Sequence, residues 1–180
     1  HIARFVKCWR PRMYDDILLP TDGSLGASMA MEQAAELAKM ANARVHVLFV
    51  ADSENASSHY VANTTGTGRT GMVTQESVEV QTGLTEIHSG AMEALEERGK
   101  QVVADVTSRL QARGIEAEAA VLDGVPYETI IHFAATVGAD VVVMATQGNS
   151  GIERRLMGSV TERVVRSAAM PVLTVGPPDL

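Results

Sequence analysis

The stretch Val141-Val142-Val143-Met144-Ala145-Thr146-Gln147-Gly148-Asn149-Ser150-Gly151-Ile152-Glu153-Arg154-Arg155-Leu156-Met157-Gly158-Ser159-Val160-Thr161 joins an apolar strand, a glycine-punctuated loop and a helix start. Val141 to Met144 is an unbroken apolar run, the composition of a parallel strand covered on both faces. Gly148, Asn149, Ser150 and Gly151 are turn formers and cannot continue it. A second element opens at Gly158-Ser159. Ser159 is expected as its N-cap, Glu162 as the partner residue of a capping box, and Val160, Val164, Val165 and Ala168 as its apolar face. Open amides at such a helix start and in the loop before it would share a hollow suited to phosphate. The same pattern also fits an ordinary corner of an α/β protein, so geometry alone leaves both readings open.

Outward from this stretch, apolar strands and amphipathic helices alternate. Asp16-Ile17-Leu18-Leu19-Pro20 reads as a first buried strand, followed by the turn Thr21-Asp22-Gly23-Ser24 and a helix from about Gly26 to Asn42. Ala27, Met31, Ala34, Ala38 and Ala41 recur at helical spacing there, small enough for close packing on a sheet. Arg44 to Val50 is a second strand, and its His46 reads as a structural histidine because no second ligand sits at metal spacing. From Ala51 to His88 periodicity is absent and Ser, Thr, Asn and Gly dominate, with Gly66, Gly68 and Gly71 close together, so a long loop is expected at about 51–88. Ser89 is expected to cap a helix reaching about Arg113, with Gly114 ending it. Glu116 to Val121 is a half-buried third strand, Pro126 opens a third helix, and Pro171 to Val175 is the last strand. His132 reads as a packing or surface residue. Such alternation requires a parallel sheet with helices on both faces.

Composition narrows the function. The chain has 180 residues, 46% of them hydrophobic, enough for a single domain with a full core. Net charge is −7 overall; Arg4, Lys7, Arg10 and Arg12 lie ahead of residue 13, and residues 13–180 hold 11 basic against 22 acidic groups. An acidic domain of this kind argues against nucleic-acid partners. The single cysteine, Cys8, excludes an internal disulfide, and no apolar run approaches the roughly 20 residues of a membrane span, so a cytoplasmic protein is expected. Residues 1–12 have no secretory-signal pattern and read as a leader or appended remnant, with the domain occupying 13–180.

The spacing in the first stretch resembles the Gly-x2-Gly-x9-Gly-(Ser/Thr) pattern of ATP-binding universal stress proteins. In this chain the frame reads Ala145, Gly148, Gly158, Ser159, with alanine in place of the first glycine. Pro20-Thr21-Asp22-Gly23-Ser24 is similar to the family's first loop, Gly124-x-Pro126 is a further shared feature, and the resemblance runs from Asp15 to Val175. It implies a five-stranded parallel sheet of order 3-2-1-4-5, Rossmann-like and of the adenine nucleotide alpha hydrolase type. Ligands of such sheets sit where the strand order reverses, here between strands 1 and 4. The resemblance implies ATP or AMP, with Mg2+ on the phosphates, held by Pro20, Thr21, Asp22, Val50, Met144, Ala145, Gly148, Gly158, Ser159, Val160 and Thr161. Val50 would offer main-chain atoms to adenine, and Asp22 the ribose, the base or the metal. The methyl of Ala145 would stand where the family's backbone comes close to the nucleotide.

The resemblance further implies a homodimer through Pro171 to Val175 and a regulatory role with a partner protein that the sequence does not identify. Two other classes fit less well. An ATP-consuming enzyme would call for a phosphate-grasping lysine loop, and none occurs; a slow ATP hydrolase on the same fold stays open. A phosphorylated receiver domain, built on Asp22, Asp123 and Thr146, would need a lysine after the last strand, where Gly176-Pro177 stands.

Overall fold

The computed structural model describes residues 14–52, 77–148 and 157–176, with the backbone alone described for 77–89 and 91. Residues 1–12, the cluster of Gly66, Gly68 and Gly71, and Asn149 to Gly151 lie outside the described residues. In chain order the elements are β1 (Asp16–Pro20), α1 (Leu25–Ala41), β2 (Arg44–Ala51), α2 (Ser77–Gln111), β3 (Ala117–Asp123), α3 (Pro126–Val137), β4 (Val141–Ala145), α4 (Ser159–Ser167) and β5 (Val172–Val175). The strands form one sheet of order β3-β2-β1-β4-β5, and every neighbouring pair is parallel. This is the expected order, with helices on both faces.

Alternation along each strand assigns the two layers. Ile17, Leu19, Val45, Val47, Phe49, Val141 and Val143 face α1 and α2, while Leu18, Leu48, Val142 and Met144 face α3 and α4. The central strands are buried on both sides, which is why they read as unbroken apolar runs. Against the first layer α1 presents Ala27, Ala30, Met31, Ala34, Ala35, Ala38 and Ala41, a face of mostly small residues that brings its axis near the strands. Ser24 accepts from the Ala27 amide at 3.1 Å and caps the start; Asn42, left-handed at φ 55°, closes the end.

The long helix α2 packs closely at Gly99. A Cβ there would stand 2.6 Å from Cδ1 of Phe49, so the glycine, worth about 0.5–1 kcal/mol less than alanine in a helix, makes room for the ring. Its far end is tied to α1 by Arg113, whose guanidinium donates to both oxygens of Glu32 at 2.6 and 2.8 Å. That pairing, with smaller contributions from the Arg113, Arg109 and Lys39 charges, holds the Glu32 carboxyl below its ordinary pKa against the opposing effect of burial.

Two expectations need correction. The loop expected over 51–88 is corrected at both ends: Ala51 belongs to β2, and α2 begins at Ser77 rather than at Ser89, while 53–76 lie outside the described residues. Residues 77–88 carry Gly83 and three threonines and serines, which lower helix propensity and obscure the helical spacing of Val80, Leu84 and Ile87, but the helical backbone runs through them into the following turns. The second concerns Ser159. Gly158 is the N-cap of α4, at φ −62° and ψ 148°, and Ser159 is the first helical residue, so there is no capping box. Gly158 donates its amide to Thr146 O at 2.7 Å, which fixes it in the loop and makes it the entry point. Glu162 instead pairs with Arg166 at 2.8 Å, one turn further on.

His46 is buried and bonded through Nε2 to Asp16 Oδ1 at 2.8 Å, with Glu118 at 3.7 Å from Nδ1. The three side chains cross β1, β2 and β3 near the amino ends of the strands, away from the loops that follow β1 and β4. This agrees with a structural histidine.

Candidate nucleotide site

The order of the sheet reverses at β1 and β4: the chain leaves β1 to the β2 side and returns to the β4 side. The loops that follow these two strands therefore part, and the gap between them is the crevice that this topology creates.

On the β1 side, Pro20 and Thr21 are buried, and the Thr21 amide donates to Leu48 O at 2.8 Å, extending the β1–β2 ladder beyond the strand. Asp22 follows, half-buried. Its Oδ1 accepts from the Ser24 amide at 2.9 Å, an Asx turn that also sets Ser24 in place to cap α1. Its Oδ2 reaches across to the other loop. A Cβ built on Gly148 would stand 2.6 Å from that oxygen, so glycine at 148 is required by the approach of the Asp22 carboxylate. The structure thus brings together two residues 126 positions apart that the sequence singled out separately.

On the β4 side, Thr146 is the junction. Its amide donates to Val175 O at 2.9 Å and its carbonyl accepts from Gly158, so the loop is tied both to β5 and to the start of α4. Thr161 is buried and donates its hydroxyl to Ala145 O at 2.9 Å, binding the first turn of α4 to the end of β4. Glu162 N–H is the first amide bonded back into the helix, to Gly158 O at 2.9 Å; the amides of Ser159, Val160 and Thr161 precede the ladder. Gly158 supplies no side-chain cap for them. The start of α1 differs, because Ser24 caps it, and α3 has Pro126 at its first turn, which removes one donor. The α4 start is thus an uncapped positive helix end with the exposed Ser159 hydroxyl beside it.

The remaining expected site residues are distributed as follows. Val50 is half-buried near the end of β2, opposite Leu122 of β3, on the α3 and α4 side of the sheet. Met144 is buried with its side chain in that same layer. Ala145 belongs to the opposite layer, and its methyl packs against α1: a Cβ on Gly26 would meet it at 3.2 Å and would meet Gln147 O at 2.6 Å. Gly26 therefore seats both the alanine that replaces the first glycine and the backbone of the following loop, a role that only tertiary contact exposes.

Two further residues at this edge had no sequence signal, since they lie 36 positions apart. The Arg163 guanidinium carbon stands 4.9 Å from the centroid of the Tyr127 ring, joining the first turn of α3 to α4. Tyr127 donates its hydroxyl to Glu128 at 2.6 Å, and this bond, with burial and the Glu128 charge, raises the phenol pKa above its ordinary value while Arg163 opposes the rise. Among the described residues no group of three His, Cys, Asp or Glu side chains is placed to hold a metal, and no helix is long and apolar enough to cross a membrane.

A doubly wound parallel sheet with an uncapped helix start at its reversal point defines a Rossmann-like α/β protein. The chain belongs to the universal stress protein family, whose family profile matches residues 13–176. It is 33% identical over 166 residues to the universal stress protein MJ0531 of Methanocaldococcus jannaschii, covering 92% of this chain and 84% of that one. Among solved structures, that of the MJ0577 protein aligns with a TM-score of 0.63 at 26% identity, over 93% of this chain and 99% of that one. A universal stress protein solved in complex with cAMP shares the fold, with a TM-score of 0.57 at 22% identity over 91% of this chain and 98% of that one.

Proposed function

We propose that this protein binds an adenine nucleotide, ATP or AMP with Mg2+ on its phosphates, in the crevice between β1 and β4, and works as a cytoplasmic homodimeric stress-response switch. The observation that carries this reading is the start of α4. Three amides precede its hydrogen-bond ladder, the cap residue is a glycine without a side chain, and the Asp22 carboxylate lies across the gap against Gly148. The amides of Ser159, Val160 and Thr161, the Ser159 hydroxyl and the Gly148 backbone take the phosphates, and Gly158, its own amide bonded to Thr146 O, lets them approach by having no side chain. Asp22, beside Pro20 and Thr21, takes the ribose or a phosphate-bound Mg2+, and main-chain atoms near Val50 read the base, with Met144 and Ala145 forming the floor. The cAMP complex of a protein with this fold supports an adenosine phosphate as the ligand class.

Binding of this kind uses ground-state contacts with backbone amides, and among the described residues of the crevice Asp22 alone offers a carboxylate, already engaged with the Ser24 amide, so nucleotide turnover is expected to be negligible. A steady-state ATPase rate near 1 per second, at the low end for enzymes, would refute this and favour the slow-hydrolase reading. The dimer forms along β5. That strand is a sheet edge with Leu173 42% exposed and no charged residue, whereas the other edge, β3, carries Glu118 and Asp123. Two copies paired about a two-fold axis would satisfy both β5 edges with one self-complementary patch. The defining experiment is calorimetric titration with ATP, ADP and AMP in the presence of Mg2+, expected to give dissociation constants on the order of micromolar.

A further inference from the structure

Arg44, Arg109, Arg113 and Arg166 each meet a carboxylate, whereas Arg163, like Arg98 on α2, makes no ion pair among the described residues, and unlike Arg98 it is held against an aromatic ring. The carboxylates closest to it in sequence and contact are engaged elsewhere: Glu162 with Arg166, and Glu128 with the Tyr127 hydroxyl. In a chain of net charge −7 an exposed arginine without a carboxylate is a notable arrangement, and its fixed contact is the face of Tyr127. Stacking occupies the flat face of the guanidinium and leaves its five N–H groups, which point outward in the plane, open to an anion. Arg163 follows Ser159 by four residues in α4, so the two share one helix face about 6 Å apart along the axis, and helical side chains lean toward the amino end.

We propose that Arg163, held in place by the Tyr127 ring, is the residue that selects the anionic tail of the ligand, so that the site discriminates nucleotides by the number of their phosphates. The inference rests on the nucleotide reading of the crevice and adds to it a source of charge that backbone amides do not supply. Tyr127 is the positioning residue: it fixes the guanidinium at the rim without consuming its donors, as a carboxylate would.

The test is calorimetry with adenosine, AMP, ADP and ATP on the wild type and on Arg163→Gln, Arg163→Lys, Tyr127→Phe and Tyr127→Leu. Arg163→Gln is expected to leave adenosine affinity unchanged and to weaken ATP about 10-fold or more, a charge-assisted bond being lost. It should also flatten the salt dependence of ATP binding. Tyr127→Phe keeps the ring face and the affinity; Tyr127→Leu loses part of the ATP preference with circular dichroism unchanged. Equal losses for adenosine and ATP, or no loss for ATP, overturn the proposal. Should the wild type take up no adenine compound at all, the nucleotide reading fails, and titration with tripolyphosphate decides the rest. Binding by the wild type and not by Arg163→Gln then upholds an anion site at Arg163, and binding by neither removes it.

Discussion

Replacing Gly26 with alanine tests how the phosphate loop is seated. The new Cβ would stand 2.6 Å from Gln147 O and 3.2 Å from the Ala145 methyl. Side-chain β-carbons essentially never come within 3.0 Å of such an atom, so the loop backbone must retreat by about 0.4 Å or more, and the neighbour is a carbonyl rather than a flexible side-chain end. Two effects compete for stability. Alanine in the first turn of α1 gains up to about 1 kcal/mol in helix propensity, while overpacking costs about 1–3 kcal/mol. Overpacking outweighs propensity, and the variant should be less stable by about 0–3 kcal/mol. Binding should suffer more, because Gln147 directly precedes Gly148, which lies against Asp22. Losing one phosphate–amide contact at about 1.5–3 kcal/mol weakens ATP about 10- to 100-fold. Urea denaturation and calorimetry on the same preparation separate the two effects. Ala145→Gly is the control: it removes a methyl that faces α1 and should change affinity far less than Gly26→Ala. If Gly26→Ala binds ATP as the wild type does, the loop is not seated on α1 in the way described.

Gly90 presents the opposite case. A Cβ there meets nothing within 4 Å, so Gly90→Ala should stabilise by about 0.5–1 kcal/mol and raise the melting temperature by about 1–4 °C in scanning calorimetry. Leu173→Lys should favour monomers on a light-scattering column with helical circular dichroism retained; a wild type already monomeric at tens of micromolar would remove the dimer. The Glu32–Arg113 pair gives a pH signature. The Glu32 pKa is depressed in the folded state, so its contribution to stability is present above the ordinary glutamate value of about 4.3 and is lost as pH falls through the lower folded value. Glu32→Gln should therefore lower stability at neutral pH, and the difference from wild type should shrink as pH falls below the ordinary glutamate range and also in high salt.

The five strands and their order were legible because each central strand is covered on both faces and so reads as an unbroken apolar run, from Ile17 to Leu19 and from Val141 to Met144. The two site loops were legible for a related reason: Asp22 and Gly148 are forced residues, one as an Asx turn and the other by that turn's carboxylate. The amino end of α2 escaped notice because Gly83, Ser77, Thr82 and Thr85 lower the helix propensity of residues 77–88, although Val80, Leu84 and Ile87 recur there at helical spacing. The cap of α4 was shifted by one residue, because the bond from Gly158 to Thr146 O is a tertiary contact that outweighs the local preference of Ser159 for a cap position. Gly26 against Ala145, Gly99 against Phe49, and Arg163 on Tyr127 are likewise contacts between distant parts of the chain, and no local pattern announces them.

The most direct measurement is titration of the wild-type protein with MgATP by isothermal calorimetry, with Asp22→Ala measured in parallel. Saturable binding near one nucleotide per chain, on the order of micromolar and weakened in Asp22→Ala, is the predicted result. Absence of heat for ATP, ADP and AMP up to millimolar ligand would contradict a nucleotide site between β1 and β4.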